Sequence, residues 1–503
     1  MNIRKVTVKN SFYAMLAQLV MLLMRFLSRF FLLKYVGVEK VGISDTILSI
    51  VGALSLSEFG IGSAISYSLY TPIYNNDYET VNKIMNVFQK LYSILSGIIF
   101  TVGIIGSFFL QYFLKGITLN GMVYLMYYLY VCNTCVSYLL CHRRTLLYAD
   151  LREYVVKRVD IITNLAFSFV SIVVIYITHN IALYILTVLL QTFVSNIWIH
   201  VKCKKLYPYL EGGRIDKAIV RNTLMYAKNL FAGSVAAFVY GSTDNLIVSV
   251  VTGTVLVGYF NNYVMVSKSV YTIISQVLMP ITPTIGRLQR GYSSKNEFFR
   301  TFLKYHQICY TFAFLVTVPT LVLFDGFIEF IFGPDYLLMP AIKCLLSIVL
   351  YVNIAAFSYG TVLTTSGEFR LIRRVETAGA VINIVSSIFL VHLMGLPGVL
   401  AGTVITVAVQ WIMRSHMVYT NCFALNNRVW VVSIFKELYK ILLVVIAYIC
   451  GQWFYNFMNT SFLIRFVVCG CFCVVVSGLI YICLYRANDK ITIKDILYKK
   501  EKK

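Results

Sequence analysis

Long apolar stretches recur along the whole chain, with short polar segments between them. About 20 helical residues span the hydrocarbon core of a bilayer. By this measure about fourteen transmembrane helices are predicted, at 10–36, 43–71, 85–114, 119–141, 155–178, 181–200, 222–251, 255–285, 300–324, 339–365, 372–394, 397–420, 436–457 and 463–485. The pattern predicts an all-α polytopic membrane protein, because barrel strands would alternate polar and apolar residues.

The basic residues alternate between the connections. Connections that follow even-numbered helices carry most of them, for example Arg143, Arg144 and Arg152, whereas those that follow odd-numbered helices contain only Lys40 and Lys115. The positive-inside rule therefore places both termini in the cytoplasm. Topology also explains the net charge of +23, so no nucleic-acid partner is expected.

A short repeat suggests two related halves. GVEKVG at 37–42 and GTVLVG at 253–258 each precede a long predicted helix. An even number of helices between them would make the halves parallel copies related by a pseudo-two-fold axis along the membrane normal. The expected parts are an N-terminal lobe, a cytoplasmic linker, a C-terminal lobe, helices 13 and 14 and a basic cytoplasmic tail, at 1–200, 201–221, 222–420, 421–485 and 486–503.

The first predicted helix carries two arginines in its middle. Arg25 and Arg29 lie four residues apart and share one helical face. An arginine at mid-bilayer costs about 3 kcal/mol on insertion scales, and such residues usually face a bundle interior or a watery cavity. We expect these cations to line a cavity that binds negative charge. In the alternative, they pair with acidic residues and only hold helices together.

Other polar residues also fall inside predicted helices. Glu58 lies at a depth similar to that of Arg25, so the two are expected to pair and leave Arg29 for a substrate. Asp244 and Lys268 are expected to meet each other or to face the same cavity. Glu58 and Asp244 are candidates for ion coupling or ion pairing. Four residues that interrupt regular helix are candidate gate or hinge positions, with helix packing as the alternative: Gly60, Gly62, Pro280 and Pro283.

The sequence predicts a transporter rather than an enzyme. It has no P-loop motif, its six histidines show no metal-ligand spacing, and the Cys132–Cys135 pair has no partner ligands. No large connection offers an external catalytic platform. No catalytic residue, metal or organic cofactor is therefore predicted; the expected small ligand is a coupling ion, either a proton or sodium.

Three stretches resemble a known family: SEFGIGSAISYSLYTPI at 57–73, STDNLIVSVVTGTVLVGYFNNY at 242–263 and FGPDYL at 332–337. Together with the helix pattern, they resemble the Wzx-type flippases of polysaccharide repeat units, in the polysaccharide transporter family of the multidrug/oligosaccharidyl-lipid/polysaccharide exporter superfamily. The resemblance implies two six-helix lobes around a central cavity and two extra C-terminal helices.

The resemblance also implies a function. An undecaprenyl-pyrophosphate-linked oligosaccharide would move from the inner to the outer leaflet of a bacterial cytoplasmic (inner) membrane by alternating access, for surface polysaccharide biosynthesis. Arg25, Arg29 and Lys268 match cavity cations of the related lipid II flippases, but the second helix carries Glu58 instead of a basic residue, which argues against lipid II as cargo. Membrane lipids, a polysaccharide polymerase and glycosyltransferases are the other candidate partners.

Two alternatives stay open from the sequence. A cation-coupled drug or small-solute antiporter of the same fold would have a mainly acidic cavity, and Arg25 and Arg29 oppose it. A membrane polysaccharide polymerase or ligase would need a large external loop with basic residues, and the sequence offers none.

Overall fold

The computed structural model describes residues 3–54, 61–210, 243–282 and 295–480, together with residues 219–221, 225, 235, 285–286 and 289. Over these ranges the chain forms helices joined by turns and contains no strand. Ten of the described helices are long and apolar enough to cross a membrane. The all-helical polytopic fold predicted from the sequence is confirmed.

The chain divides into two compact units, Met1–Gly258 and Tyr259–Lys503. The first contains α1 (Ile3–Tyr35), α2 (Val38–Leu54), α3 (Ile61–Tyr74), α4 (Tyr78–Ser107), α5 (Leu110–Phe113), α6 (Gly121–Leu140), α7 (His142–Ala149), α8 (Glu153–Thr178), α9 (Ile181–Leu206), helical residues 243–252 and the start of α10 (Thr254–Leu278). The predicted lobe boundaries stay predictions, because most residues between 211 and 242 lie outside the described ranges.

The second unit contains the rest of α10 and seven further described helices. They are α11 (Lys295–Phe332), α12 (Pro340–Ala355), α13 (Phe357–Thr365), α14 (Phe369–Met394), α15 (Leu396–Met417), α16 (Asn427–Phe457) and α17 (Phe462–Ile480). The long helix α11 contacts α12, α13, α16 and α17, so the packing of this unit is built on it.

Several helix ends differ from the prediction. The second predicted helix, 43–71, contains parts of α2 and α3, and residues 55–60 between them lie outside the described ranges. The tenth, 339–365, is divided into α12 and α13 at Ala356. The short helix α7 was not predicted. Hydropathy locates apolar residues but does not show where a helix bends or continues beyond the apolar run.

Polar side chains cap three helices of the first unit, α4, α6 and α9. The side chain of Asp77 accepts a hydrogen bond from the backbone N–H of Thr80 at 3.0 Å. Hydrogen bonding from the side chain and then the backbone of Thr80 holds the pKa of the Asp77 carboxyl below its ordinary value. Asn120 caps α6 and Asn180 caps α9 in the same way. Because the first N–H groups of a helix have no partner within it, these caps fix where the helices begin.

Connections at one end of the first unit contact each other. The Lys115 side chain donates to the carbonyl of Val251 at 2.8 Å, and the Lys115 carbonyl accepts from the N–H of Thr254. His179 Nδ1 lies 3.3 Å from the carbonyl oxygen of Tyr35. These residues lie in or next to the connections that follow odd-numbered predicted helices. The charge pattern predicts that those connections share one side of the membrane.

Connections at the other end also meet. Asn10 donates from Nδ2 to the Leu151 carbonyl and accepts from the Tyr154 N–H, each at 2.9 Å. Tyr207 donates to Asp150 at 2.6 Å. Burial and the bonded Asp150 carboxylate raise the pKa of Tyr207 well above its ordinary value. The N-terminal segment therefore lies with the connections at 141–154 and 202–210, as the alternating charge pattern requires.

The two copies of the sequence repeat pack against each other. Gly37 and Gly253 both adopt positive φ, +91° and +108°, which glycine permits at a turn. Gly42 and Gly258 lie at a close approach of α2 and α10. A Cβ atom built on Gly42 would lie 2.4 Å from the Thr254 carbonyl oxygen, which is backbone and cannot move aside alone. The glycines allow this contact.

We expect Gly42→Ala to lower the melting temperature of the purified protein. The added methyl group overpacks a backbone contact, and such overpacking typically costs about 1–3 kcal/mol. Gly97→Ala is the matched control, because a Cβ on Gly97 of α4 meets nothing within 4 Å. Thermal unfolding in detergent measures both variants, and an equal loss for Gly97→Ala would contradict the packing argument.

Candidate functional site

Arg29 anchors three segments of the first unit. Its Nη1 donates to Asp45 Oδ2 at 2.8 Å, and its Nη2 donates to the Gly258 carbonyl oxygen at 2.8 Å. The residue is only 9% exposed. These bonds join α1 to α2 and to the first turns of α10. Because a buried ion pair needs its geometry and hydrogen bonds satisfied, Arg29 has a clear structural role.

Polar groups continue along α2 beside this ion pair. Ser44 Oγ lies 2.7 Å from the hydroxyl of Tyr130 on α6. One turn after Asp45, Ser49 Oγ accepts a hydrogen bond from Asn245 Nδ2 at 3.1 Å. Asn245 follows Asp244, which is half-buried in helical residues 243–252. Asp244 therefore belongs to a helical segment that contacts α2 one turn from the Arg29–Asp45 pair.

Arg25 differs from Arg29 in its surroundings. It lies one turn toward the N-terminus of α1, its side chain is exposed, and it makes no ion pair within the described ranges. Residues four apart share a helical face, so Arg25 is on the face that Arg29 turns toward α2. Arg29 is thus bonded to an acidic side chain, whereas Arg25 is exposed, and the binding of an anion by Arg25 stays a prediction.

The proposed Glu58 partner of Arg25 lies outside the described residues, as do Gly60 and Pro283. Among the other predicted hinge positions, Gly62 is the second residue of α3 and is half-buried. Pro280 lies in the 3₁₀ turn Met279–Ile281, which follows α10 directly. Regular α-helix therefore ends at Leu278, before Pro280, and a hinge there stays a prediction.

Lys268 belongs to the second unit. It lies on α10, and its side chain is exposed. Its backbone carbonyl accepts a hydrogen bond from Thr272 Oγ1 at 2.7 Å, within the same helix. Its predicted role in binding substrate stays a prediction, as do those of Arg25 and Arg29.

The pairing of Arg29 with Asp45 was missed at the sequence level. Depth was counted from the cytoplasmic ends of the predicted helices, which led to a pairing of Arg25 with Glu58. A count from the turn between α1 and α2 finds the pair: Arg29 lies six residues before the end of α1, and Asp45 seven residues after the start of α2. Because neighbouring antiparallel helices share their turn, this count depends less on uncertain helix ends.

Two of the family-like stretches meet in the second unit. The hydroxyl of Tyr263, at the end of the 242–263 stretch, accepts from the N–H of Leu338, which follows FGPDYL, at 3.0 Å. The same hydroxyl donates to Asp325 Oδ1 at 3.3 Å, and Lys343 pairs with Asp325 Oδ2 at 2.6 Å. These stretches thus fix the connection between α11 and α12, which is a structural role.

Two further ion pairs join helices within their units. Arg144 pairs with Asp160 at 2.9 Å and also donates to Ser195 and Asn196, which connects α7, α8 and α9. Arg414 on α15 pairs with Glu376 on α14 at 2.5 Å. No group of three or more metal-ligating side chains occurs in the described ranges.

The family described as polysaccharide biosynthesis protein matches residues 7–289 of the chain. No curated protein matches it. Among solved structures, the lipid II flippase MurJ in an inward closed conformation aligns with a TM-score of 0.68 and 14% identity, covering 95% of this chain and 100% of that chain.

Multidrug transporters show the same fold. An inward-facing multidrug resistance MATE transporter of the MOP superfamily aligns with a TM-score of 0.62 and 14% identity over 79% of this chain and 96% of its own. A Vibrio cholerae MATE transporter aligns with a TM-score of 0.58 and 11% identity over 84% of this chain and 98% of its own. At these identities the likeness shows the fold alone.

Proposed function

We propose that this chain, which belongs to the polysaccharide biosynthesis protein family, is a flippase for an undecaprenyl-pyrophosphate-linked oligosaccharide. It would carry this lipid from the inner to the outer leaflet of the bacterial cytoplasmic membrane, with both of its termini in the cytoplasm. The observation that supports this most is Arg25, an exposed cation within a membrane-spanning helix that makes no ion pair in the described part of the chain.

The chemistry of the cargo fits such a cation. A pyrophosphate headgroup cannot enter hydrocarbon with its water and counterions removed unless other charges replace them. The planar guanidinium of arginine presents paired N–H groups that match phosphate oxygens. Arg29 is already bonded to Asp45 and Gly258. It would hold α1 in place while Arg25 meets the pyrophosphate, and Lys268 stays a further candidate cation for the cargo.

Transport would proceed by alternating access, as is usual for transporters built from repeated halves. The sequence has no P-loop for a nucleotide. The energy would come from an ion gradient, of protons or sodium, or from removal of the product; a polysaccharide polymerase and glycosyltransferases stay candidate partners. Glu58 and Asp244 stay candidate coupling groups.

A cation-coupled antiporter of drugs or small solutes is the second candidate. The likeness of the fold to multidrug MATE transporters favours it, and the half-buried Asp244 would supply a negative charge. Arg25 opposes it, because an exposed guanidinium within the membrane repels organic cations.

Complementation tests the proposed function. A bacterial strain that lacks its own repeat-unit flippase and makes the matching glycan would receive this gene. We expect surface polysaccharide to return and the lipid-linked oligosaccharide on the inner leaflet to fall. An unchanged inner-leaflet pool in cells with abundant protein would contradict the proposal. Gain of drug resistance in those cells would favour the antiporter.

A further inference from the structure

A second buried polar cluster lies in the second unit, where α11, α13 and α16 meet. Glu437 on α16 is 2% exposed and His306 on α11 is 5% exposed. His306 Nε2 lies 2.9 Å from Glu437 Oε1. The hydroxyls of Tyr310 and Tyr359 also donate to this carboxylate, the latter at 2.6 Å. No element of the proposed substrate site accounts for this cluster.

The hydrogen bonds around Glu437 favour the ionised form of its carboxyl group. Trp411 Nε1 can only donate, and it donates to the Tyr310 hydroxyl at 3.2 Å. Tyr310 therefore uses its own proton for Glu437. With Tyr359 also donating, Glu437 accepts from two hydroxyl groups, an arrangement that stabilises an ionised carboxylate. An ionised carboxylate can only accept, so with Glu437 ionised the proton between the two side chains is on His306 Nε2.

The other ring nitrogen of His306 is not fixed in this way. Its Nδ1 lies 2.7 Å from Ser358 Oγ, and a hydroxyl can either donate or accept. When Nδ1 is bare, Ser358 donates to it. When Nδ1 carries a proton, it donates to Ser358, whose own proton turns to the Ala355 carbonyl oxygen at 3.4 Å. The site can therefore gain or lose one proton while the heavy atoms stay in place.

A further charged side chain lies beside the cluster. Lys440 is buried one turn after Glu437, and its Nζ lies 4.6 Å from the centre of the Tyr310 ring. It balances Glu437 when the imidazole is neutral, and Glu437 stabilises the imidazolium directly. The buried titratable side chains near His306 on the packed helices include Tyr305, Cys309 and Tyr310 from α11, Tyr351 from α12, Tyr359 from α13, and Glu437 and Lys440 from α16.

Hydroxyl groups extend from the cluster along α13. Thr361 follows Ser358 by one turn, and its Oγ1 lies 3.3 Å from the Tyr305 hydroxyl and 3.5 Å from Thr282 Oγ1. Ser366, just after α13 ends, accepts from Gln289 Nε2 at 2.8 Å. These polar side chains lie along α13, between the cluster and the end of that helix.

We propose that His306 Nδ1, with Ser358 as its partner, binds the coupling proton of transport. This inference rests on the proposed flippase function. In each cycle the Nδ1 lone pair would take one proton from one side of the membrane, with Nε2–H remaining bonded to Glu437, and would release it to the other side. The imidazole of His306 would gain and lose its positive charge where α11, α13 and α16 meet. The change in charge would therefore alter the packing of these three helices.

Direct titration is the first test. The purified full-length protein, with ring-¹⁵N histidine, would be followed by infrared difference spectroscopy between about pH 5 and pH 9, the range in which imidazole usually titrates. We expect one titrating imidazole band to disappear in His306→Gln. His392→Gln, which changes an exposed histidine on α14, is the control for sensitivity. Absence of a His306 band in that range would overturn the proposal.

Transport is the second test, in the complemented strain described above. External pH would be raised from about 6 to about 8, across the range in which histidine usually titrates. We expect wild-type surface glycan production to fall about tenfold. Ser358→Ala and His306→Gln should lose this dependence. Ser358→Ala keeps the His306–Glu437 bond, so an unchanged melting temperature would separate proton binding from helix packing.

The outcomes are distinct. Titration of His306 together with loss of pH dependence in Ser358→Ala supports proton coupling. Wild-type pH dependence in a well-expressed Ser358→Ala or His306→Gln overturns it, and the flippase function would stand with another energy source. If wild-type protein restores no glycan at any pH, the proposed function fails first, whatever the spectra show.

Discussion

Arg25→Ala is expected to abolish most rescue of surface polysaccharide while the protein reaches the membrane at the wild-type level. The Arg25 side chain is exposed and makes no ion pair in the described part of the chain, so its removal leaves no buried charge. Hydrogen bonds to charged groups contribute about 1.5–3 kcal/mol. Their loss should therefore lower transport about tenfold to a hundredfold. Surface glycan and inner-leaflet lipid-linked oligosaccharide are the quantities to measure.

Lys34→Ala is the matched control. Lys34 is also an exposed cation of α1, but it lies nine residues from Arg25 and so on the opposite face. We expect wild-type transport from this variant. Arg25→Lys should retain part of the activity, because it keeps the charge and loses the planar pair of donors. Full transport by an abundant Arg25→Ala protein would remove Arg25 from the substrate site.

The second large effect is expected at Arg29 and Asp45. Arg29→Ala or Asp45→Ala alone leaves one charge buried without its partner, which typically destabilises by about 3–5 kcal/mol. Both single variants should reach the membrane poorly. The double variant Arg29→Met with Asp45→Leu removes both charges, and we expect its abundance and melting temperature to recover most of the loss. Additive losses would contradict a direct pairing.

Transport by this double variant separates the two roles of Arg29. If it is abundant and active, Arg29 only anchors α1 to α2 and Gly258. If it is abundant and inactive, Arg29 also contributes to cargo binding, as the sequence predicts. The measurements are membrane abundance, thermal unfolding in detergent and surface glycan.

The depth argument from sequence predicted a pairing of Arg25 with Glu58, which stays a prediction because Glu58 lies outside the described residues. It singled out charges inside apolar helices, and one of them, Arg29, is buried and donates hydrogen bonds to Asp45 and to the Gly258 carbonyl. It did not consider Asp45, which lay close to the expected start of a helix, although α2 begins at Val38. The predicted start of this helix, residue 43, is five residues later than the observed start. Five residues are more than one helical turn, and a side chain reaches only partners within about one turn of its own depth.

The short sequence repeat at 37–42 and 253–258 also marks a packing contact, which the sequence did not predict. The resemblance of GVEKVG to GTVLVG predicted related halves. The structure adds that Gly42 and Gly258 of these motifs contact each other within the first unit. A sequence shows that two glycines occur at matching positions, but close backbone approach depends on how helices are placed in space.

The sequence by itself determined the helical membrane architecture, the alternation of connections and the family resemblance. Each depends on local composition: apolar runs of bilayer length, basic residues between them and short motifs. Only the tertiary structure decided that Arg29 pairs with Asp45 and that His306, Tyr310, Tyr359 and Glu437 form one buried cluster. Those contacts join residues 16 to 131 positions apart, and their formation depends on helix rotation and packing, which hydropathy does not specify.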